Sequence, residues 1–562
     1  MKNRLLKIFA AVCVLGIFAA CADEFLDIPA QGALDEGLLQ NQEGVEASLV
    51  SAYSMLDGWA NQWGQGAPWP TAGSNWIWGS VASDDAYKGS EPGDQGETSQ
   101  IELFQWTPGN PYFQAKFVAL YEGIARANAT KKLLLSAAEG ISAEDQSRID
   151  GEIRFLRAHF HFDGVKLWGN IPYYDETDED FRKPNDASII PQITADLEAA
   201  VGLLPATTSD KGRATKGAAQ AYLGKVHLYQ QNWAEAKALF DQVVNSGNYS
   251  LNPCFKDMFT TANENANEMI FSIQATVNDG TGGGDNGNFA DRLNFPHGGS
   301  PFGCCGFHQP SQNLVNAHKV DANGLPLFDT FNDSDVDLAT PVDPRLDWTV
   351  GRDDVPFLAW GIHEPTWIRS RAWAGPYSAK KFIYDPGQES TVGWSNLQLN
   401  PVNMPIIRYA DVLLMLAEAE VELGNLERGR ELVNLIRARA ANCAQGADGG
   451  STTIDDAGIT WATYAVGTYD DAWTDQSVAR TAVRMERRIE LALEGHRFFD
   501  LRRWGIAQQV MNAYMDVEQT KRSYITAATR FEDRHNLFPL PSVQIELSKV
   551  DGTAQLIQNS GW

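Results

Sequence analysis

Two stretches of the chain have the residue spacing of paired antiparallel helices, and this spacing constrains the fold more than any other feature. Residues 214–246 place Gly224 and Ala236 twelve positions apart, and Phe240 follows four positions later. Residues 408–439 repeat the pattern with Ala417 and Gly429. Small residues at this spacing let two helices approach closely, as in a tetratricopeptide unit. The chain is therefore predicted to contain a right-handed scaffold of stacked helix pairs.

The remaining sequence divides into helical and irregular parts. Residues 149–168 carry apolar side chains close to a 3.6-residue period, and shorter helical stretches at 113–135 and 480–500 are candidates for further pairs. The other parts are rich in Gly, Pro and Asn and show few helical periods. We predict a mainly α-helical fold: a single domain over residues 21–562, with tetratricopeptide-like pairs at about 113–250 and 404–510 and irregular loop and short-strand insertions at about 57–112 and 250–400.

The N-terminus predicts export and lipidation. Lys2, Arg4 and Lys7 precede an apolar run from Ile8 to Ala20, which has the length of a signal peptide and is too short for a membrane span. Small residues then precede Cys21, as at a bacterial lipoprotein cleavage site. We expect residues 1–20 to be removed and Cys21 to carry the lipid; cleavage of an ordinary secreted protein at another position is the alternative.

Tryptophan is concentrated in the two predicted insertions. The segment WANQWGQGAPWPTAGSNWIW, residues 59–78, holds five Trp without helical or strand periodicity, and residues 348–373 hold four more. An indole face can bury the apolar face of a pyranose, at roughly 25 cal/mol per Å², while polar side chains bind its hydroxyl groups. The alternative for each ring is a place in the core, since Trp is highly buried on average. The predicted carbohydrate-binding residues are Trp63, Trp69, Asn75, Trp76, Trp78, Asp84, Trp360, His363, Trp367, Arg369 and Trp373.

The net charge of −27 limits the partners of the protein. Nucleic acids and anionic lipid surfaces attract Lys and Arg, so neither is expected to bind directly. A polyanionic glycan is disfavoured for the same reason, whereas a neutral glycan such as a β-glucan is compatible with this charge. Arg369 and Arg371 weaken that preference.

Catalytic and metal sites find little support in the sequence. Asp84 and Asp85 are a candidate carboxylate pair for glycoside hydrolysis, but adjacent side chains on an extended segment point to opposite sides. The charged residues of block 484–505 lie three or four positions apart, which predicts ion pairs within a helix. Asp333, Asp335 and Asp337 alternate as in a calcium loop but lack the Gly and distal Glu of that motif. No cofactor is therefore predicted, with structural calcium left open, and some of the four cysteines beyond Cys21 are expected to pair.

Blocks spread over nearly the whole chain occur in an order typical of one family. They include GEIRFLRAHFHFDGVKLWGNIPYY, GRATKGAAQAYLGKVHLYQQNWAEAKALFDQVVNSGNYSL, RYADVLLMLAEAEVELGN, RMERRIELALEGHRFFDLRRWG and the closing LFPLPSVQIEL. In this order, behind a lipoprotein start, they resemble the SusD/RagB-like outer-membrane lipoproteins of Bacteroidetes.

The resemblance implies a helical lid on a TonB-dependent transporter, a SusC-like barrel. It also implies binding of an oligosaccharide or polysaccharide without catalysis, and a surface location anchored at Cys21. The alternatives are a RagB-like lid that captures peptides, and a structural lid whose sugar contacts lie in the transporter.

Overall fold

Helices form the framework of the molecule, whose computed structural model describes residues 39–58, 68–280, 286–393 and 396–562. The N-terminal helices are α1 (Gln42–Tyr53), α2 (Gly96–Glu102), α3 (Pro111–Ser136), α4 (Ala143–Trp168), α5 (Ile190–Leu203), α6 (Lys216–Tyr229) and α7 (Trp233–Asn245). Short helices α8 (Gln312–Ala317), α9 (Arg345–Thr349) and α10 (Arg371–Ala374) follow. The C-terminal helices are α11 (Tyr409–Glu422), α12 (Leu426–Ala440), α13 (Gln476–Glu490), α14 (Arg497–Arg503), α15 (Ala507–Glu518) and α16 (Ser542–Leu547).

Consecutive helices pack as antiparallel pairs, which confirms the predicted fold class. The most extensive helix–helix contacts join α3 with α4, α4 with α5, α6 with α7, and α11 with α12. A Cβ atom added at Gly224 of α6 would lie 2.6 Å from the Phe240 ring of α7. One added at Gly429 of α12 would lie 2.6 Å from the Val421 side chain of α11. Both glycines therefore occupy close helix contacts, as their spacing predicts.

Local sequence determines where the long helices begin and end. Asn110 caps α3 by accepting a hydrogen bond from the Tyr112 amide, and Pro111 occupies the first turn. Ser142 caps α4 in the same way through the Asp145 amide. Gly169, with φ of 72°, ends α4 in a conformation that favours glycine.

The strands are short and pair only two at a time in the described residues. Antiparallel pairs join β1 (Ala86–Gly89) to β3 (Phe307–Pro310), β2 (Met269–Ile273) to β7 (Met404–Arg408), β5 (Val350–Gly351) to β6 (Ser378–Ala379), and β8 (Ala444–Gln445) to β9 (Ser451–Thr452). β4 (Pro341–Val342) is parallel to β10 (Thr463–Tyr464). Except for the local β8–β9 hairpin, these ladders connect segments distant in sequence, so they tie the irregular segments to one another.

A buried ion-pair cluster joins the helices to the irregular segments. Arg408 at the end of β7 donates to Glu268 at 2.9 Å, Glu490 at 2.6 Å and Glu494 at 2.8 Å. Arg345 of α9 reaches Glu490 at 2.8 Å. The structural role predicted for block 484–505 is confirmed, but most of its partners come from other elements rather than from its own helix. The cluster therefore acts between segments.

Two disulfides involve the irregular part of the chain at about residues 250–400. Cys254 bonds Cys443, which follows α12, and thereby ties the start of the irregular segment to the helical framework. Cys304 bonds its neighbour Cys305. Within the described residues no helix has both the length and the apolar composition needed to cross a membrane.

Candidate functional site

Two tryptophans of the first predicted cluster lie in the core. Trp76 and Trp78 stand in a π-helical turn, Trp76–Val81, and each is 1% exposed. The Trp78 ring lies 5.2 Å from the ring of Phe538, and its Nε1 donates to the Pro70 carbonyl at 2.7 Å. Neither ring can stack on a sugar, so their prediction as binding residues is wrong. Apolar burial against distant segments overrides the loop-like composition of this stretch.

The two polar residues predicted beside them are also structural. Asn75 is buried and donates to Asp163 of α4 at 3.0 Å. Asp84 pairs with Arg497 at 2.8 Å and with Arg488 at 3.0 Å. Burial raises the pKa of Asp84, but the two guanidinium groups outweigh it and lower the pKa to about 2. Because both side chains are buried, their prediction as sugar ligands is wrong, and Asp84 is not available as a catalytic acid.

Trp69 remains partly accessible in the first cluster. It stands in the 3₁₀ turn Trp69–Thr71, and its ring stacks on Phe289 with centroids 6.2 Å apart and planes at 14°. The ring is half-buried. Trp63 lies outside the described residues. Trp69 therefore stays a candidate contact, and Phe289, which the sequence prediction missed, supports it from behind.

The second cluster contains a hairpin that carries Trp360 at its tip. Backbone hydrogen bonds pair Asp354 with His363 at 3.0 Å and Phe357 with Gly361 at 2.7 Å. The half-buried Trp360 ring lies 4.8 Å from the Phe302 ring, and its Nε1 donates to the Tyr384 carbonyl at 2.7 Å. These contacts hold the indole at one angle while part of it stays open, so Trp360 remains a candidate contact.

His363 anchors the base of this hairpin and is fully buried. Its Nδ1 lies 3.1 Å from the Asp353 carboxylate, and its Nε2 lies 2.9 Å from the Ser378 hydroxyl. A carboxylate only accepts, so Nδ1 carries the proton and Nε2 accepts from Ser378. Burial lowers the pKa of His363, which favours this neutral form. The prediction of His363 as a sugar contact is wrong.

Ser378, His363 and Asp353 thus form a hydrogen-bonded chain like the catalytic triad of a hydrolase. Their surroundings, however, differ from those of a catalytic triad. Ser378 is 2% exposed and lies in β6, paired with β5. Asp353 also pairs with Arg371 at 2.6 Å. A nucleophile must reach a substrate carbonyl beside oxyanion donors. We interpret the three residues as a brace for the hairpin.

Trp367 is another predicted contact that lies in the interior. It is 5% exposed, and its ring lies 5.3 Å from Phe357 and 5.2 Å from His363. Its carbonyl accepts from the His297 amide at 2.8 Å. The ring belongs to the small apolar core of the irregular half, together with Trp348. The prediction that Trp367 binds sugar is wrong for the same reason as for Trp76.

Trp373 and Arg369 form a second accessible part of the second cluster. The half-buried Trp373 ring stacks on Tyr524 with centroids 3.9 Å apart and planes at 19°. Lys88 of β1 lies 5.8 Å from the Trp373 ring centroid. The exposed Arg369 pairs with Glu91 and Asp94, both at 2.7 Å, just beyond β1. Both residues therefore border the same strand and make one patch with a flat aromatic face beside charged groups.

The segment 297–306 runs between this patch and Trp360. The half-buried His297 is close enough to Arg369 for its charge to contribute, after burial, to lowering the pKa of His297. At the other end, Phe302 supports Trp360. We call Trp360, Arg369, Trp373 and His297 the loop face. Neither Tyr524 nor His297 lies in a cluster of aromatic residues in the sequence. No local sequence pattern therefore identifies them as part of the candidate site.

The candidate calcium loop offers no assembled ligand set. Asp335 pairs with Lys521, and Asp337 accepts from the Thr340 hydroxyl at 2.6 Å. Across the described ranges, no three His, Cys, Asp or Glu side chains are placed to hold a metal together. The acidic turn is organised by its own hydrogen bonds and by contacts of Asp335 with Asn316 and Lys521.

Comparison with known sequences relates both halves of the chain to SusD-like proteins. Residues 267–562 match a family model described as the SusD family, and residues 46–228 match one described as starch-binding associating with outer membrane. SusD-like protein P25 of Formosa agariphila is 27% identical over 466 residues, which cover 77% of this chain and 76% of that protein.

Solved structures agree over most of the chain. A structure named laminarin binding SusD-like protein has a TM-score of 0.64 and 25% identity, covering 93% of this chain and all of the other. Surface glycan-binding protein A from Bacteroides thetaiotaomicron, in complex with laminarihexaose, has a TM-score of 0.66 at 19% identity, over 92% of this chain and 99% of the other. The second likeness shows the fold alone.

Proposed function

Because the chain belongs to the SusD family, we propose that it is a cell-surface glycan-binding protein that passes an oligosaccharide or polysaccharide to a TonB-dependent outer-membrane transporter. The observation that carries this proposal is the half-open Trp373 ring fixed flat on Tyr524. A pyranose that stacks on it loses apolar area to water. Because the ring is already held in place, binding costs little side-chain entropy.

The loop face supplies the other groups that a sugar needs. Trp360 offers a second indole, and its hydrogen bond to the Tyr384 carbonyl orients it. The exposed Arg369 donates to Ser90, Asp94 and Glu91, and its remaining guanidinium N–H groups are donors for hydroxyl oxygens. Two partly open rings, with a polar residue beside one of them, suit several consecutive sugars of a chain better than a single monosaccharide.

A neutral glycan, and among these a β-glucan, is the substrate class we favour. The net charge of −27 opposes polyanionic chains. Glu91 and Asp94 already neutralise Arg369, which removes the main cationic attraction of the loop face. The laminarin named in one relative at 25% identity supports the same class.

We infer binding without cleavage. The carboxylates considered for hydrolysis, Asp84 and Asp85, are buried in ion pairs with Arg488 and Arg497. The Ser378–His363–Asp353 brace is likewise buried. These observations support a binding role, and incubation of pure protein with laminarin should release no reducing ends.

Attachment at Cys21 and association with a barrel complete the proposal. Cys21 lies outside the described residues, and both claims rest on the signal sequence and the family. A Cys21→Ala variant should leave the membrane fraction, and the wild type in mild detergent should co-purify with a transporter barrel. A variant that stays in the membrane fraction contradicts the anchor, and purification without a barrel contradicts the partner.

Glycan binding is tested by calorimetry with laminarin, a mannan and alginate. We expect binding to laminarin and none to alginate. Trp373→Ala should weaken binding, whereas Trp233→Ala, which alters a half-buried indole on α7, should not. Equal affinity of the wild type and Trp373→Ala would contradict the role of the Trp373 ring in binding. Binding to alginate alone would contradict the proposal that the glycan is neutral.

A further inference from the structure

A groove on the helical framework has no part in the loop face. It has a volume of about 540 Å³ and lies between α3, the segment 172–181 and the C-terminal segment 544–556. No residue of segment 286–393 lines it. Its apolar walls are formed by Phe117, Tyr121, Ile124, Tyr174, Phe181 and Leu547.

The groove opens among unusually exposed apolar side chains. Phe181 is 67% exposed and Leu547 is 56% exposed, although both line the groove. Val543 lies four residues before Leu547 on the same face of α16, and it is also exposed. Ile557, next to the lining residue Leu556, is 63% exposed. Contiguous exposed apolar surface of this kind marks interaction sites in soluble proteins.

Most neutral polar groups of the groove are unsuited to a sugar because the fold already uses them. The Asn128 amide donates to the Tyr174 carbonyl, and its oxygen accepts from Arg157. The hydroxyl groups of Tyr121 and Tyr174 donate to the Pro172 and Phe181 carbonyls. Ser548 likewise donates to the Ile545 carbonyl and accepts two backbone amides. Apart from the Gln544 amide and the Lys132 ammonium, the groove therefore presents ring faces, aliphatic groups and carboxylates.

The acidic residues beside the groove favour an occupant that also carries positive charge. Residues 175–180, DETDED, put five carboxylates into six positions, and four of these residues line the groove. Lys183 and Arg182 pair with Asp178 and Asp180, whereas Glu179 is exposed and has no ion-pair partner in the described part of the chain. Among the described residues that line the groove, Lys132 is the one basic residue, and it lies near the C-terminal end of α3. Lys183 and Arg182 already lie over the Tyr174 and Phe181 rings. The unpaired Glu179, beside these aromatic side chains, is left to attract a Lys or Arg side chain of a partner.

We propose that this groove docks a segment of a partner protein that presents apolar side chains next to Lys or Arg. The lining residues of α3 run from Phe117 to Lys132, a rise of roughly 22 Å at 1.5 Å per residue. About seven residues of extended chain cover that length. The proposal does not depend on glycan binding, since the two surfaces share no residue.

Two exposed alanines allow the groove to be filled without disturbing the core. Ala125 and Ala129 line it from α3, and both side chains are exposed. Ala125→Trp and Ala129→Trp should block the groove and leave the fold intact. Ala238→Trp places the same indole at an exposed position of α7 and is the matched control. Circular dichroism and thermal melting verify the fold of each variant.

The probe is a displayed library of random 12-residue peptides, selected on the immobilised wild-type protein. We expect enriched peptides to carry Lys or Arg beside apolar residues. A synthetic copy of one should bind the wild type and Ala238→Trp equally and bind Ala125→Trp at least tenfold more weakly. Glu179→Lys should weaken binding several-fold, in a salt-dependent way.

Several results would overturn the proposal. These are no enrichment, enriched peptides without a basic residue, or equal binding to the filled and control variants. Binding of laminarin that is lost in Ala125→Trp but kept in Trp373→Ala would instead make the groove a saccharide site. Because glycan binding is measured separately on the loop face, failure of the groove leaves the proposed function unaffected.

Discussion

The ring of Trp373 lies on the ring of Tyr524, with centroids 3.9 Å apart and planes inclined by 19°. The Tyr524 hydroxyl donates to Glu102 of α2, so the lower ring is fixed from beneath. Offset stacking of this kind stabilises a pair by about 0.5–1.5 kcal/mol beyond the area it buries. The pair joins segments far apart in sequence and gives the loop face a rigid, partly open aromatic surface.

Removal of this surface should weaken glycan binding. Trp373→Ala and Trp360→Ala should each cost about 1–2 kcal/mol of binding energy through lost apolar contact, which is roughly tenfold in Kd. The double variant should bind too weakly to measure by calorimetry. Trp233→Ala is the control for loss of an indole elsewhere. Unchanged affinity in the folded double variant would place the glycan somewhere other than the loop face.

Trp78 should behave in the opposite way. Its ring packs against Phe113 and Phe538, and its Nε1 is hydrogen-bonded to Pro70. Trp78→Ala should lower the free energy of unfolding by about 3–5 kcal/mol because it leaves a large cavity. Urea titration measures this loss, and the fraction that stays folded should bind laminarin with wild-type affinity. A stable Trp78→Ala protein that has lost binding would restore the original prediction for this residue.

The difference between these tryptophans explains what the sequence can and cannot predict. Gly224 and Phe240 meet across a short turn, so a local spacing is sufficient to predict their contact. The burial of Trp76 and Trp78 depends on Phe307 and Phe538, which are distant along the chain. No pattern near residue 76 contains that information. Composition alone therefore predicted a loop where long-range packing makes a core.

The same limit applies to the candidate site. Trp360, Trp373 and Arg369 were found from their clustering, and the structure leaves them accessible. Tyr524, which supports Trp373, lies in a segment with no aromatic cluster. His363 was predicted to bind sugar because it lies between tryptophans, but its two hydrogen bonds fix the hairpin instead. Residue type and neighbourhood identified the right loop, whereas the direction of each side chain required the fold.

Close helix packing at Gly224 gives a prediction for the scaffold. Gly224→Leu should lower the free energy of unfolding by roughly 1–3 kcal/mol, since any Cβ meets the Phe240 ring. Gly202→Leu is the matched control, because a Cβ at Gly202 of α5 meets no atom within 4 Å. Thermal melting compares the two variants. Equal melting temperatures for both would show that the α6–α7 contact is looser than the structure has it.

Asp84 should make the fold sensitive to acid. Its pKa of about 2 lies below the ordinary 3.8, because Arg488 and Arg497 overcome the opposing effect of burial. A carboxyl group with a lowered pKa in the fold stabilises the protein above its unfolded pKa, and this contribution is lost as pH falls toward the folded value. The contribution is about 2 kcal/mol, present at pH 5 and above and lost between about pH 4 and 2.

Asp84→Asn should therefore be less stable than the wild type at pH 7, and the difference in the free energy of unfolding should narrow as the pH falls from 4 to 3. Asp516→Asn, which breaks an exposed pair with Arg530, should change stability by less than about 1 kcal/mol at either pH. Urea midpoints at pH 7, 5, 4 and 3 measure all three proteins, and a wild-type advantage over Asp84→Asn that stays constant down to pH 3 would show that the charge of Asp84 does not stabilise the fold.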